Sequence, residues 1–179
     1  MKKTSALFDP ESSWAPIDAR IATEQDSRCR QLLEQVRDHM RHEIRGELPE
    51  LMGTLVDEPR YHIWGAPTEA GPKGRAAVEQ FYTQMIEGGG NWFHFAIERI
   101  VVDHGGVITE GQMRQRVPGD AVAASGVLEV DGEPVDPLAT YLSMGQILTV
   151  WPAAEDGRLI GEDIYLGSPL LARLVKLEE

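Results

Sequence analysis

Residues 29–65, CRQLLEQVRDHMRHEIRGELPELMGTLVDEPRYHIWG, decide how the rest of the chain is read. Cys29, Leu32, Leu33, Val36, Met40 and Ile44 recur at spacings of three and four, which predicts one apolar stripe along a long helix. His39 and Glu43 lie along or beside that stripe, four residues apart and so stacked one above the other. Arg37, Asp38, Arg41 and Arg45 fall mostly on the wet side. Gly46 interrupts the helix, and Leu48-Pro49-Glu50 opens a short second one, with Pro49 tolerated in its first turn. Asp57-Glu58-Pro59 predicts a turn and Tyr61-His62-Ile63-Trp64 a first strand. A titratable pair bordering a core-facing stripe points to a site.

Working outward, Thr23 with Asp26 three residues on resembles a capping box, which predicts a helix start near Glu24. Residues 1–22, with Pro10, Pro16, Phe8 and Trp14, read as an arm laid over a domain spanning 23–168, followed by a tail at 169–179. After a Gly/Pro-rich loop a helix is expected from Arg75 to Glu87, stopped by Gly88-Gly89-Gly90. Two long strands flank a turn at His104-Gly105-Gly106, and two more flank a turn at Glu155-Asp156-Gly157. The tail, PLLARLVKLEE, suits a short amphipathic helix. Helices followed by a run of strands give an α+β class: a cone-shaped α+β barrel, its curved, mostly antiparallel sheet enclosing a pocket with the helices.

The chain has 179 residues and a net charge of −12, with no cluster of Lys and Arg. One domain with a proper core is expected, and a phosphate backbone would be repelled, so nucleic acid is not an expected partner. Cys29, the one cysteine, reads as a small buried hydrophobe. No apolar run of membrane-spanning or signal-peptide length occurs, so no membrane partner and a cytoplasmic location are expected.

The Arg45-Gly46-Glu47-Leu48 helix end, the short helix after it and the Pro-Arg-Tyr-His-Ile-Trp strand resemble the nuclear transport factor two-like superfamily, and most of all its SnoaL-like branch, over roughly residues 24–167. That superfamily includes ketosteroid isomerase, scytalone dehydratase and polyketide cyclases. The resemblance implies catalytic groups late in the long helix (His39, His42, Glu43), on the first strand (Tyr61, His62), at His94 before Phe95, and near Glu110 or Gln112. It also implies a cofactor-independent lyase or isomerase, of dehydratase or retro-aldol type, acting on a small apolar, aromatic or polycyclic molecule. A homodimer or higher homo-oligomer is expected with it. The alternative is a non-catalytic carrier or a dimeric interaction domain.

In that scheme His94 is the base, His39 with Glu43 orients or relays the proton, and Asp163, His62, Tyr82 or Tyr165 stabilises charge on oxygen. Tyr61, Trp64, Tyr82, Glu110 and Tyr165 are the candidate substrate contacts. Each has a plainer reading. His94 alternates with Trp92, Ala96 and Ile100 and could be hydrogen-bonded core, and His39 with Glu43 could be a surface pair. His62 sits on a strand whose faces are hard to tell apart. Tyr61 and Trp64 could be packing, Glu110 part of a solvent face, and Asp163 simply exposed. His39, Glu43 and a further histidine could hold a metal, but His-Met-Arg-His-Glu is not a zincin motif, and no metal or other cofactor is expected.

Overall fold

The computed structural model describes residues 7–65, 70–169 and 171–177. A 3-10 turn at Pro10–Ser12 leads into α1, Ala15–Thr23, and then α2, Ser27–Arg45. The helix expected to start near Glu24 is therefore preceded by another. Between them the Glu24 carboxylate accepts the N–H groups of Gln25 and Asp26, at 2.8 and 2.9 Å. Asp26, not Thr23, caps α2, accepting from Cys29 N–H at 2.9 Å. Along α2 the residues turned inward are the predicted stripe with His39 and Glu43 inserted into it. Gly46 ends the helix in the left-handed region, φ 69°, which glycine adopts without a Cβ clash.

Next come α3, Leu48–Gly53, and β1, Leu55–Trp64. The expected turn at Asp57–Pro59 is instead a register break inside β1, between Leu55 and Arg60. The helix α4, Arg75–Glu87, has the predicted bounds. β2, Phe93–Asp103, and β3, Gly106–Pro118, form the expected hairpin across His104-Gly105. The stretch after it holds α5, Gly119–Ala124, and a two-stranded pair, β4 at Glu129–Val130 and β5 at Glu133–Pro134. Then follow β6, Thr140–Pro152, β7, Leu159–Leu166, and β8, Leu174–Lys176.

The main sheet runs β1-β7-β6-β3-β2, with β8 on the free part of β6. Only β1 and β7 run parallel. Where a short helix is expected in the tail, Leu174–Lys176 is thus strand. β7 pairs with Ile147–Val150 alone, which leaves the edge of Tyr141–Ser143 open, and β8 fills it. The sheet curls around α2 and α4, and the main core gathers Leu33, Val36, Met40, Tyr61, Tyr82, Phe93, Phe95, Ile147 and Trp151 on its concave side.

Residues 7–23 wrap round the β2 edge. Leu7 and Phe8 pack against Leu142 and Met144 in a separate cluster, whereas Ile17 of α1 is in the main core. At the edge the N–H of Phe95 donates to Ser13 Oγ at 3.0 Å.

Candidate active site

A polar cluster is sealed into the apolar interior between α2, α4, β1 and β7. His39 has no exposed surface, nor have Tyr61 and Tyr82, while Glu162 is 6% and Glu43 9% exposed. Thr54, just past α3, donates its hydroxyl proton to the carbonyl of Leu51 at 2.6 Å and lies 2.6 Å from His39 Nδ1. A hydroxyl has one proton, and the carbonyl can only accept. Nδ1 must therefore be the protonated nitrogen, donating to Thr54. This leaves Nε2 facing the Tyr82 hydroxyl at 3.0 Å and the nearer Glu162 oxygen at 3.4 Å. Tyr82 also lies 2.9 Å from that oxygen and 2.8 Å from the Tyr61 hydroxyl.

The Tyr82 hydroxyl, with a single proton, stands between the Glu162 carboxyl and His39 Nε2 and can turn that proton to either, so the three groups form one path for proton transfer. The phenols do not ionise to break the chain, because burial, with the nearby Glu162 charge second, pushes both Tyr61 and Tyr82 well above their ordinary range.

Glu43 is different. It accepts no hydrogen bond from any described residue and projects into a cavity of about 140 Å³. Met40, Phe81, Phe93, Phe95, Ile147 and Trp151 form much of the wall, and Glu162 is the second carboxyl on it. Burial, reinforced by the charge of Glu162, raises the Glu43 carboxyl well above the carboxylate range, which favours its neutral form. The nearest donor atoms of His39, Glu43 and Glu162 lie within 4.8 Å of one another. One imidazole and two carboxylates could suit a divalent cation, but His39 and Glu162 already share the Tyr82 hydroxyl, and we read the group as a hydrogen-bonded acid–base cluster. Asp26, Cys29 and His104 also come within such a distance, yet Asp26 is committed to capping α2.

The sequence-predicted residues divide by face. His39, Glu43, Tyr61 and Tyr82 come together inside. His94 does not join them: it sits across the sheet, where Nδ1 is 3.3 Å from both Asp9 N and Leu7 O, and Nε2 is 3.4 Å from Ser12 Oγ. Its strand neighbours Phe93 and Phe95 line the cavity in its place. The expected grouping of His94 with Ile100 fails for a related reason: a bulge between Ile97 and Arg99 switches the faces, so Ile100 packs on the core.

His62 is outside too, stacked on Trp64 with ring centroids 5.6 Å apart. Trp64 in turn stacks on Tyr165, and these two are 44% and 45% exposed. Asp163 is register-paired with His62, on the face away from the cavity, and its Oδ1 has no hydrogen-bond partner among the described residues. Glu110 is on the outer face of β3, beside Arg99 and Gln146.

No protein-family model and no curated protein matches the chain. Solved structures do. A protein of Shewanella putrefaciens CN-32 assigned as a SnoaL-like polyketide cyclase superposes with a TM-score of 0.60 at 13% identity, over 84% of this chain and 87% of that one. The epoxide hydrolase/cyclase-like enzyme SalBIII, of pyran ring formation in the polyether salinomycin, gives 0.54 at 10% identity, over 80% and 94%. A protein of Kribbella flavida DSM 17836 assigned as a ketosteroid isomerase gives 0.51 at 10% identity, over 78% and 79%. The chain has the SnoaL-like, nuclear transport factor two-like fold.

Within this cone the sequence reading missed Glu162, Thr54 and Trp151. The signal for Glu162 was present. It alternates with Ile164 and Leu166, an apolar face, whereas Asp163 alternates with Tyr165. Trp151, whose Nε1–H donates to Thr109 Oγ1 at 2.9 Å, stands edge-on to the His39 ring at 5.4 Å and closes the cluster from β6. Among the described residues, no helix is long and apolar enough to cross a membrane.

Proposed function

We propose that the protein is an acid–base enzyme, an isomerase or lyase that needs no cofactor, acting on a small apolar molecule bearing a carbonyl. The observation that carries this reading is the meeting of two carboxyls, Glu43 and Glu162, in one apolar cavity with opposite equipment. Glu43 is held neutral and has no partner of its own. Glu162 is wired through Tyr82 to an imidazole. A substrate carbonyl oxygen accepts a hydrogen bond from the Glu43 carboxyl, which stabilises the charge that develops there. The Glu162 carboxylate takes a proton from the adjacent carbon, and His39 shares that proton through Tyr82. Returning the proton to a different carbon shifts a double bond. Expelling a β-hydroxyl with a proton gives water and an enone.

Kinship of fold with SnoaL-like and ketosteroid-isomerase-like proteins agrees with this chemistry without selecting between the two outcomes. The test is turnover of a β,γ-unsaturated and a β-hydroxy cyclic ketone by the wild type, Glu162→Gln and Glu43→Gln. Turnover by the wild type, lowered in each variant by roughly a hundredfold or more, is the expected result. Saturable binding of both ketones with no turnover of either would make the protein a carrier.

A further inference from the structure

The catalytic cavity has a neighbour. A second chamber, of about 220 Å³, lies toward the ends of β1 and β7 and is lined by residues including Ile63, Gly145, Leu166 and Ser168. Four residues, Met113, Gln115, Ile147 and Ile164, line both chambers. The two cavities therefore adjoin across these residues, of which Met113 is an unbranched thioether that changes rotamer readily.

Glycines in the sheet show why the second chamber stays open. A Cβ on Gly106, Gly111 or Gly161 would collide with the carbonyl of Trp151, Ala96 or Arg60, so close backbone contact requires glycine at each. Gly145 has no such reason. A Cβ there would meet Ser168 Oγ at 3.4 Å and Pro169 O at 3.9 Å, ordinary van der Waals distances, and its φ is outside the left-handed region. A strand residue that backbone geometry would let be larger, but which lines a cavity, keeps space free.

The polar side chains lining this space, Gln115, Ser143, Gln146 and Ser168, are all uncharged. Ser168 Oγ accepts from Gln146 N–H at 3.1 Å and donates its own proton to no described residue. Gln115 uses its amide N–H on the carbonyl of Gly90, at 3.1 Å, and its amide oxygen takes no described donor.

We propose that the substrate is an elongated, uncharged molecule that spans both chambers, with Gly145 setting its length. The proposal rests on reading the Glu43–Glu162 end as the reacting end. The reactive oxygen sits there, the apolar middle displaces Met113 between Ile147 and Ile164, and a hydroxyl or carbonyl at the far end takes the proton of Ser168.

The test is binding, read by calorimetry on the full chain, with phenol, para-phenylphenol and para,para′-dihydroxybiphenyl as probes. The second ring buries further apolar area, so para-phenylphenol is expected to bind roughly tenfold or more tightly than phenol. The distal hydroxyl is expected to add roughly threefold or more. Gly145→Leu should bring the ratio of para-phenylphenol to phenol affinity close to one. Ser168→Ala should remove the gain from the distal hydroxyl alone, and it serves independently if Gly145→Leu does not fold. A wild-type ratio near one, an unchanged ratio in Gly145→Leu, or no binding of any probe overturns the proposal. The two readings fail separately: turnover that survives Glu162→Gln and Glu43→Gln removes the chemistry but not the length preference, and a ratio near one removes the length preference but not the chemistry.

Discussion

His39 and His94 are both buried, and they are used in opposite ways. His39 is held by side chains whose own protons are accounted for: Thr54 fixes one nitrogen and Tyr82 with Glu162 faces the other. His94 is held by the backbone of residues 7 and 9 and by Ser12, across the sheet from the cavity. One ring is wired to a carboxyl that a ligand can reach. The other ties down a segment of chain. Burial of a histidine therefore says nothing about its role until its partners are traced.

Variants can break or sharpen this contrast, and the largest effect belongs to the wired side. Glu162→Gln should cost roughly a hundredfold or more in turnover of the cyclic ketones, whereas His94→Ala should leave turnover within about twofold. A comparable loss in both would erase the distinction. His39→Ala should lower unfolding free energy by about 2–4 kcal/mol in chemical denaturation, since it opens a cavity and strips partners from Thr54, Tyr82 and Glu162.

Glu43→Leu should move stability the other way, by about 1–3 kcal/mol, because it replaces an unpartnered buried carboxyl with an apolar side chain of similar size. It should also abolish turnover. The pH dependence has a definite sign. In the folded protein the Glu43 carboxyl is raised above its ordinary 4.5, so the native state holds a proton that the unfolded chain has released. Stability contributed by this group is complete below about pH 4.5 and declines as pH rises toward the raised folded value, at up to about 1.4 kcal/mol per pH unit. Glu43→Gln should flatten that decline, and an unchanged slope would show that the carboxyl is not held neutral.

The smallest effect is expected for His94→Ala in unfolding, about 1 kcal/mol, with faster hydrogen exchange at Asp9 and Phe95. Burial lowers the His94 imidazole below its ordinary 6.5. The stability this group contributes is therefore complete above about pH 6.5 and declines as pH falls through the lowered value.

Much of the fold could be read from periodicity. The α2 stripe, the bounds of α4 and both hairpin turns follow from local sequence, because helix faces and glycine turns are local properties. Half of the site was legible for the same reason: His39 and Glu43 interrupt a helical stripe that is otherwise apolar, and Tyr82 lies on the apolar side of α4. Strand faces were not legible to the same degree. In Gly161-Glu162-Asp163 two acids are adjacent, and a one-residue error of parity selects the wrong one. On β2 the bulge after Ile97 changes parity midway, and only the pairing with β3 reveals it. That β8 is a strand depends on β7 being too short to cover β6, a fact of tertiary structure with no trace in the tail itself.

The N-terminal wrap has a consequence for life in a crowded solution. A sheet whose last strand bares its N–H and C=O groups is a template on which a second chain can polymerise. Here Ser13 takes the Phe95 N–H at the start of β2, and Glu98, Arg99 and Asp103 bring charge to the rest of it. At the opposite margin Pro72 accepts from Tyr61 N–H at 2.9 Å, and Gly74 N–H donates to Pro59 O at 2.8 Å, so residues 72–74 stand in for a further strand. Both margins of the sheet are guarded by irregular chain and charge, which lets a strongly curved sheet stay open enough to hold a cavity without inviting fibres.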